Sequence, residues 1–446
     1  MKVLIERLGI NGEGVGKGTE GVFLDKICFV PKAIPNEVVD VDVIKDKKAY
    51  CETKLRKVIT PSNNRIVPPC KYFGKCGGCD IQHINIDTQN AFKQNKVRET
   101  IKKISKTDVD VSKTIRVNDF YYRNKMVYPI GSINGQAIVG MFAGKTNKVV
   151  SIDECMLSNQ ILIDVYKESK RYFEKSNFRG YDFKAKKGDI KYLVLRNNEK
   201  DVLITIVATK KIDLSGYYAL IQKMPLNIGL SLIISDSDDD ILSGEYYHVA
   251  GIEKLGFEEF GIKYSIDNRG FKQINDDIKS RLYERVLEEV CCDDVVLDCY
   301  SGAGLLSAII SRKCKSIIGI EINESASDSA KQLAKSNNID NIKFIAGDVK
   351  DYIDECIEEL DNNVVVLDPP RSGCEKNILE AIAKSNIKKI IYISCNPSTL
   401  ARDLEILITR FDIRSVIPWD MFPQTKHVET LVILERKIGK LNYEKN

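Results

Sequence analysis

The stretch Val295-Val-Leu-Asp-Cys-Tyr-Ser-Gly-Ala-Gly304, followed by Leu305-Leu-Ser-Ala-Ile-Ile310, decides the fold of the carboxy-terminal part of the chain. An apolar run that ends in glycines and continues as a second apolar segment is typical of a buried strand, a tight loop and a helix. The glycines allow a ligand to approach the backbone at the carboxyl end of the strand. Glu321 lies 23 positions after Asp298 and ends the next apolar run, where an acid can bind ribose hydroxyls.

Apolar strands alternate with helical patterns from about residue 265 to the end of the chain. This alternation predicts a doubly wound α/β domain over residues 265–446. The predicted strands are Val295–Asp298, Ser316–Glu321, Ile342–Ala346, Val364–Asp368, Lys389–Ser394 and Thr430–Glu435.

Two nucleotide cofactors compete for the glycine-rich loop. A dinucleotide site expects a third glycine, and Ser307 stands in its place. The form Asp-x-x-x-Gly-x-Gly instead resembles the loop of class I methyltransferases, which bind S-adenosylmethionine.

Three polar segments stand at the ends of strands in this domain. Asp368-Pro-Pro-Arg-Ser-Gly373 follows the fourth strand, Cys395-Asn-Pro follows the fifth, and His427-Val-Glu429 precedes the last. A free cysteine at the mouth of such a sheet indicates a nucleophile. The alternative is a small buried thiol, as we expect for Cys291, Cys292, Cys299 and Cys314.

A cysteine is needed for methylation at C5 of uracil, because that carbon is a poor nucleophile. Thiolate addition to C6 creates an enolate that can take a methyl group at C5, and a base must then remove the C5 proton. Cys395 fits the thiolate and Glu429 fits the base. Amino-methyltransferases need neither group and expect an aromatic residue after Asp-Pro-Pro, where this chain has Arg371.

Three further cysteines lie within ten residues of one another, at Cys70, Cys76 and Cys79, and Cys155 in a turn-like setting supplies a fourth thiol. Gly77 and Gly78 allow the backbone to wrap tightly around a centre. The spacing fits a four-cysteine zinc site and an iron–sulfur cluster equally well.

The front of the chain is basic. Residues 1–130 carry 24 Lys and Arg against 15 Asp and Glu, a net +9, whereas the remainder has a net −5. Short apolar runs, including Val22-Phe-Leu, alternate with glycine-rich turns and predict a small β-barrel over residues 1–57, which resembles a TRAM domain. Residues 58–264 are predicted to form a mainly β central domain with a helix from Thr88 to Ser105.

Taken together, these motifs closely resemble the RNA uracil-5-methyltransferases, in particular the iron–sulfur-containing 23S rRNA branch. The resemblance covers essentially the whole chain. Its signature segments match Ser394–Asp403 and His427–Thr430. It implies Cys395 as nucleophile and Glu429 as base. It also implies a [4Fe-4S] cluster on Cys70, Cys76, Cys79 and Cys155, and S-adenosylmethionine contacts from Gln273, Tyr300, Glu321, Asp348 and Asp368.

The same resemblance implies the substrate, because the tRNA branch of the family is expected to lack both the cluster and the TRAM domain. We therefore expect 23S rRNA, held by Lys and Arg of the front domain and by Arg123 and Lys125. It also implies that residues 83–115 pack on the catalytic domain. The alternatives are a tRNA uracil-5-methyltransferase, a cytosine-5 or amino RNA methyltransferase, and a non-catalytic RNA-binding protein.

The composition is that of a folded protein, with 43% hydrophobic and 29% charged residues. No stretch approaches the roughly 20 apolar residues of a membrane span, and the first residues do not resemble a secretory signal. We expect a cytoplasmic monomer with no membrane partner.

Overall fold

Three β-sheets form the framework of the chain, and the computed structural model describes residues 1–237, 240–359 and 363–437. Residues 438–446 of the predicted third domain lie outside the described part. None of the helices in the described ranges is both long and apolar enough to cross a membrane.

The first sheet is a closed barrel with the strand order β1-β2-β3-β5-β4. Its strands are β1 (Lys2–Leu8), β2 (Gly14–Gly18), β3 (Ile27–Val30), β4 (Val38–Asp46) and β5 (Tyr50–Thr60). Alternate side chains such as Val3 and Val39 point inward and are fully buried. A Cβ on Gly16 would lie 1.9 Å from the carbonyl oxygen of Leu4, so only glycine permits this close pairing.

The prediction of a strand at Val22-Phe-Leu is wrong. Gly21–Phe23 forms one turn of 3₁₀ helix, and the side chains of Val22 and Leu24 are exposed. Gly21 has φ +64°, which turns the chain out of the extended conformation at this point.

Helix α1 (Ile86–Ser105) follows the barrel, and Phe92 near its start packs with Ile34 and Leu8. Asn85 caps the helix by accepting the N–H of Thr88 at 2.9 Å. Val97 and Ile101 are buried in the core of the third sheet rather than in that of the second.

The second sheet has the order β12-β11-β10-β9-β6-β7-β8. Its elements are β6 (Lys125–Ile133), β7 (Gln136–Phe142), β8 (Val149–Ser151), α2 (Gln160–Lys175), β9 (Ile190–Asn197), β10 (Asp201–Ala208), α3 (Ser215–Ile221), β11 (Asn227–Ile234) and β12 (Glu245–Gly251). The sequence did not indicate the two helices, since α2 opens on the run Ile161-Leu-Ile, which also suits a strand. Leu162, Tyr166 and Phe173 of α2 are buried against the sheet at helical spacing.

The third sheet has the order β17-β16-β15-β18-β19-β21-β20. It is preceded by the hairpin β13 (Leu255–Glu259) and β14 (Ile262–Ile266). Its elements are α4 (Asp276–Glu288), β15 (Val295–Cys299), α5 (Leu305–Ser311), β16 (Ser316–Glu321), α6 (Glu324–Ser336), β17 (Ile342–Ala346), α7 (Val349–Glu359), β18 (Val364–Leu367), α8 (Lys376–Lys384), β19 (Lys389–Ser394), α9 (Pro397–Leu407), β20 (Phe411–Trp419) and β21 (Glu429–Arg436).

The predicted doubly wound α/β sheet is confirmed, with strands at the predicted positions. Five neighbouring strands are parallel, and β21 inserts antiparallel between β19 and β20. The parallel strands therefore end at one edge, where their carboxyl-terminal loops meet the start of β21.

Candidate active site

Cys395 and Glu429 are brought together by the register of two neighbouring strands. Ser394 at the end of β19 lies opposite Thr430 of β21 in the antiparallel ladder. The residue after Ser394 and the residue before Thr430 are therefore neighbours, and these residues are Cys395 and Glu429. Two segments 34 positions apart in sequence thus meet at the carboxyl edge of the sheet.

The two side chains have different environments. Cys395 is partly exposed and lies just before helix α9, whereas Glu429 is 3% exposed. Burial raises the pKa of the Cys395 thiol; Glu429 and Asp368 add to the rise, and the guanidinium of Arg371 opposes it. Burial also raises the pKa of Glu429 well above its ordinary value, with Asp368 adding to the rise. A carboxyl group with a raised pKa is a stronger base once it has lost its proton.

Asp368 and Arg371 follow β18, the strand next to β19. Burial raises the pKa of Asp368 to about 7. Arg371 is exposed, and its positive charge acts on Cys395, Glu429 and His427 together. The sequence singled out Arg371 only as a departure from the amino-methyltransferase pattern, but it is the cation of this site.

The glycine-rich loop after β15 is bound to Glu321 at the end of β16. The N–H of Gly302 donates to one carboxylate oxygen of Glu321 at 2.9 Å, and the N–H of Asn323 donates to the other at 2.8 Å. Gly304 has φ +79°, and a Cβ there would lie 2.6 Å from the Phe344 ring. The loop therefore keeps its backbone close to the strand ends, as a nucleotide site requires.

Asp298 is a buried carboxyl group beneath this loop that the motif analysis used only as a spacing marker. It is 2% exposed and accepts a hydrogen bond from Ser307, the residue in the position of the missing third glycine. Burial raises the pKa of Asp298 to about 7. A glycine at position 307 could not donate this hydrogen bond to Asp298.

The remaining predicted cofactor residues come from three different segments. Tyr300 lies in the glycine-rich loop with φ +73°, and burial raises the pKa of its hydroxyl. Asp348 follows β17 and pairs with Lys350 at 2.7 Å, and the pKa of its carboxyl is lowered mainly by that hydrogen bond. Gln273 lies just before α4.

The segment that contains Gln273 is attached to the second sheet by Asn124. The side-chain amide of Asn124 donates to the carbonyl of Gln273 at 3.0 Å and to the carboxylate of Asp276 at 2.7 Å. The N–H of Asn124 donates to the carbonyl of Ile274 at 3.1 Å. Nothing in the sequence pattern indicated this contact, which joins residues 149 positions apart.

The prediction that Arg123 and Lys125 hold RNA phosphates is wrong for this conformation. The ammonium of Lys125 donates to the carbonyl of Asn268 at 2.8 Å, and burial lowers its pKa to about 7. Arg123 lies in a cavity lined by cysteines. Both residues are only partly exposed, and the ammonium of Lys125 is already bound by the protein.

Cys70, Cys76, Cys79 and Cys155 line one common cavity. It encloses about 480 Å³ that no protein atom fills, part of it open to solvent, and Met126, Met141 and Leu157 form apolar walls. The N–H of Gly78 donates to the sulfur of Cys76 at 3.3 Å, and the amide of Gln82 donates to that of Cys79 at 3.1 Å. Burial raises the pKa of both thiols, and these two hydrogen bonds oppose the rise.

Within the described ranges, no three His, Cys, Asp or Glu side chains are grouped closely enough to hold a metal ion. A [4Fe-4S] cluster would use all four thiols of the cavity as ligands. The identity of the group stays a prediction.

The strand order and the glycine-rich loop are those of an S-adenosylmethionine-dependent methyltransferase, and the strand-end cysteine is a candidate nucleophile. The family described as tRNA (Uracil-5-)-methyltransferase matches residues 85–437, and the TRAM domain matches residues 1–55. The chain belongs to this uracil-5-methyltransferase family and carries an amino-terminal TRAM domain.

The sequence relatives match over nearly their whole length. An uncharacterized RNA methyltransferase of Clostridium tetani is 36% identical over 96% of this chain and 95% of its own. One of Clostridium acetobutylicum is 33% identical over 98% of this chain and 96% of its own.

A solved structure also matches nearly the whole chain. It is the tRNA (uracil-54, C5)-methyltransferase of Pyrococcus abyssi in complex with S-adenosyl-L-homocysteine. It is 26% identical, has a TM-score of 0.77, and covers 97% of this chain and 100% of its own. Because the match includes most of the barrel, the expectation that tRNA-modifying members lack this domain is wrong.

Proposed function

We propose that this protein transfers a methyl group from S-adenosylmethionine to C5 of a uridine in 23S rRNA. The observation that carries the uracil-5 chemistry is the register between β19 and β21, which makes Cys395 and Glu429 neighbours. The choice of 23S rRNA rests on the four cysteines, which the family resemblance assigns to the rRNA branch. Methylation at a nitrogen or an oxygen needs neither a thiol nor a buried base, whereas methylation at C5 of uracil needs both.

The Cys395 thiolate adds to C6 of the uracil ring, and the ring becomes an enolate with its charge shared between O4 and C5. The amino end of α9 lies directly after Cys395 and favours the thiolate. Arg371 supplies a second positive charge beside the same sulfur. Bound S-adenosylmethionine supplies the methyl group that C5 then takes.

Glu429 removes the C5 proton after methyl transfer. The electron pair of the broken C–H bond forms the C5–C6 double bond, and the Cys395 sulfur leaves as a thiolate. Because burial and Asp368 raise the pKa of Glu429, this carboxylate accepts the proton more readily than an exposed one would.

The residues that would hold S-adenosylmethionine are those near the glycine-rich loop. Glu321 is oriented by two backbone N–H groups and would bind the ribose hydroxyls. Tyr300 and Asp348 would contact the adenosine, and Gln273 and Asp368 would complete the side that faces the target base.

We infer that the four-cysteine cavity holds a [4Fe-4S] cluster. The four thiols share one cavity, and Arg123 lies in its wall, where a guanidinium offsets the negative charge of a thiolate-bound cluster. Uracil methylation transfers no electrons, so the cluster would stabilise the fold around it.

The RNA would be held by the barrel, where Lys54, Arg56 and Lys57 on β5 are exposed. The target uridine would have to leave its stack to reach Cys395. A uridine in tRNA is the second candidate substrate, because the Pyrococcus abyssi protein that matches 97% of this chain is a tRNA methyltransferase.

Mass spectrometry of nucleosides tests the proposal directly. The purified protein is incubated with labelled S-adenosylmethionine and with unmodified 23S rRNA or tRNA, and the product nucleoside is mapped. We expect labelled 5-methyluridine in 23S rRNA. Label in tRNA alone would favour the second candidate. 5-Methylcytidine or an amino-methylated base would refute the uracil assignment, and no label with either RNA would favour a non-catalytic RNA-binding protein.

A further inference from the structure

The loop that carries Arg371 is fastened to helix α9 along its whole length. Asn396 donates its side-chain amide to the carbonyl of Arg371 at 3.0 Å, and Thr399 donates its hydroxyl to the same carbonyl at 3.3 Å. Arg402 donates to the carbonyls of Ser372 and Cys374, each at 3.0 Å. We call residues 371–374 the Arg371 loop.

Asp403 completes these contacts from inside the protein. Its side chain is fully buried, and one carboxylate oxygen accepts the N–H of Cys374 at 2.9 Å and the hydroxyl of Tyr392 at 2.6 Å. The other oxygen accepts the Nε–H of Arg402 at 2.8 Å. A buried carboxylate is costly unless it is hydrogen-bonded, and here both oxygens have partners on three different elements.

Gly373 allows the loop to come this close. Its φ is +77°, and a Cβ there would lie 2.6 Å from a guanidinium nitrogen of Arg402 and 2.7 Å from the carboxylate of Asp403. Any other residue would displace the loop from α9.

These contacts fix the position of the Arg371 loop relative to the candidate nucleophile Cys395. Asn396, which holds the carbonyl of Arg371, is the residue next to Cys395. Tyr392, which donates to Asp403, lies three positions before Cys395 on β19. The carbonyl of Arg371 is thus bound by the residue that follows the thiol, and the far end of the loop is linked through Asp403 to the strand that precedes it.

We propose that Asp403 is a positioning residue: together with Arg402, it holds the Arg371 loop against the segment that carries Cys395, so that the positive charge of Arg371 acts on the thiol. This proposal rests on the proposed function, because it takes the Cys395 sulfur to be the nucleophile. Asp403 itself touches neither the target base nor the methyl donor; it acts through the loop.

The test is the reactivity of Cys395 in two variants. Asp403→Asn keeps the shape of the side chain, but its amide nitrogen cannot accept a hydrogen bond. The variant therefore loses either the hydrogen bond from Arg402 or the two hydrogen bonds from Cys374 and Tyr392. Arg402→Lys keeps the charge, but one ammonium nitrogen cannot replace both the Nη2 that reaches the two loop carbonyls and the Nε that binds Asp403. Arg402 is half exposed, so this second variant decides the test if Asp403→Asn does not fold.

A matched control comes from the opposite end of the same strand. Glu289 is 4% exposed and pairs with Lys389 at 3.2 Å, where β19 begins. Glu289→Gln therefore removes a buried charge near β19 without touching the Arg371 loop.

Each protein is alkylated with iodoacetamide over a series of pH values, and the Cys395 peptide is quantified by mass spectrometry. We expect both loop variants to react at least about threefold more slowly near neutral pH, which corresponds to a thiol pKa higher by half a unit. The Glu289→Gln profile should match that of the wild type.

Wild-type reactivity in both loop variants would overturn the proposal, as would an equal loss in the Glu289→Gln control. Alkylation needs neither RNA nor methyl donor. Its result therefore stands or fails independently of whether 5-methyluridine is the product.

Discussion

The carbonyl of Gln424 accepts the backbone N–H of Asp80 at 3.1 Å, and the same carbonyl accepts the N–H of Ile81 at 3.2 Å. Asp80 directly follows Cys79 of the cysteine cavity, whereas Gln424 lies five positions before Glu429. Gln424 is buried with φ +68°, so this loop has little freedom to rearrange. The segment that leads to the candidate base is therefore attached to the segment that leads out of the cysteine cavity.

The first prediction concerns the group held by the four cysteines. Protein purified without oxygen should be brown and contain iron and sulfide in near-equal amounts. Cys76→Ser should lose both and melt at a lower temperature, because the group closes the chain between Cys79 and Cys155 and restricts the unfolded state by on the order of a few kcal/mol. Weaker RNA binding should accompany the loss.

Cys292→Ser is the matched control for this experiment, since Cys292 lies in the third domain and is exposed. The prediction that Cys291 and Cys292 are buried thiols is wrong, whereas Cys299 and Cys314 are buried as predicted. The Cys292→Ser variant should keep the iron, the sulfide and the wild-type thermal midpoint. Zinc without sulfide in the wild-type protein would contradict the iron–sulfur assignment.

The second prediction concerns the base. Glu429→Gln removes the carboxylate that takes the C5 proton, so the reaction should stop after methyl transfer. The protein should accumulate as a covalent adduct with RNA, visible as a band of reduced mobility on a denaturing gel. Slow turnover with no adduct would mean that another residue is the base.

The double variant Cys395→Ala, Glu429→Gln shows whether the adduct forms through the proposed sulfur. It should give no adduct and no methylated RNA. An adduct in the double variant would remove Cys395 from the mechanism.

Six of the seven strands of the third sheet, all but β20, could be predicted from the sequence because buried strands appear as continuous apolar runs. The register of β21 could not be predicted from such runs. That register, which sets Thr430 opposite Ser394, makes neighbours of two segments that the sequence shows only as separate motifs.

Contacts between segments that are far apart in the chain could not be predicted from the sequence. For the segments around Asn124 and Asp403, the sequence pattern predicts local structure. It does not show which distant residue each side chain contacts. The assignment of Arg123 and Lys125 to RNA failed for the same reason, because a basic residue beside aromatic residues suits a solvated strand and a buried cavity wall equally well. Lys125 is satisfied by a carbonyl of Asn268, which lies 143 positions away.

The third prediction concerns the attachment of the Gln273 segment. Asn124→Ala removes two hydrogen bonds, to the carbonyl of Gln273 and to Asp276, from a site that is 5% exposed. Two net hydrogen bonds contribute about 1–2 kcal/mol, so the Kd for S-adenosylhomocysteine should rise about tenfold by calorimetry. Asn159→Ala, which removes the cap of α2 in the same domain, should leave this Kd unchanged.

The fourth prediction uses the pH dependence of folding stability. Burial raises the pKa of Asp298 to about 7 in the folded protein from 3.8. A raised pKa means that the contribution of Asp298 to stability is fully present below its unfolded pKa and is lost as pH rises through about 7. In Asp298→Asn, the amide oxygen can still accept the Ser307 hydroxyl, but no charge is buried at high pH.

The stability of Asp298→Asn relative to the wild type should therefore grow by roughly 2–3 kcal/mol between about pH 5 and pH 8.5, measured by denaturant unfolding without ligands. Asp189→Asn is a control of opposite sign, because hydrogen bonds from Arg179 lower the pKa of Asp189. Its stabilising effect is present above the unfolded pKa, so this variant should be destabilised to the same extent at both pH values. If Asp298→Asn also differs from the wild type by one constant amount, then Asp298 does not carry a buried charge at high pH.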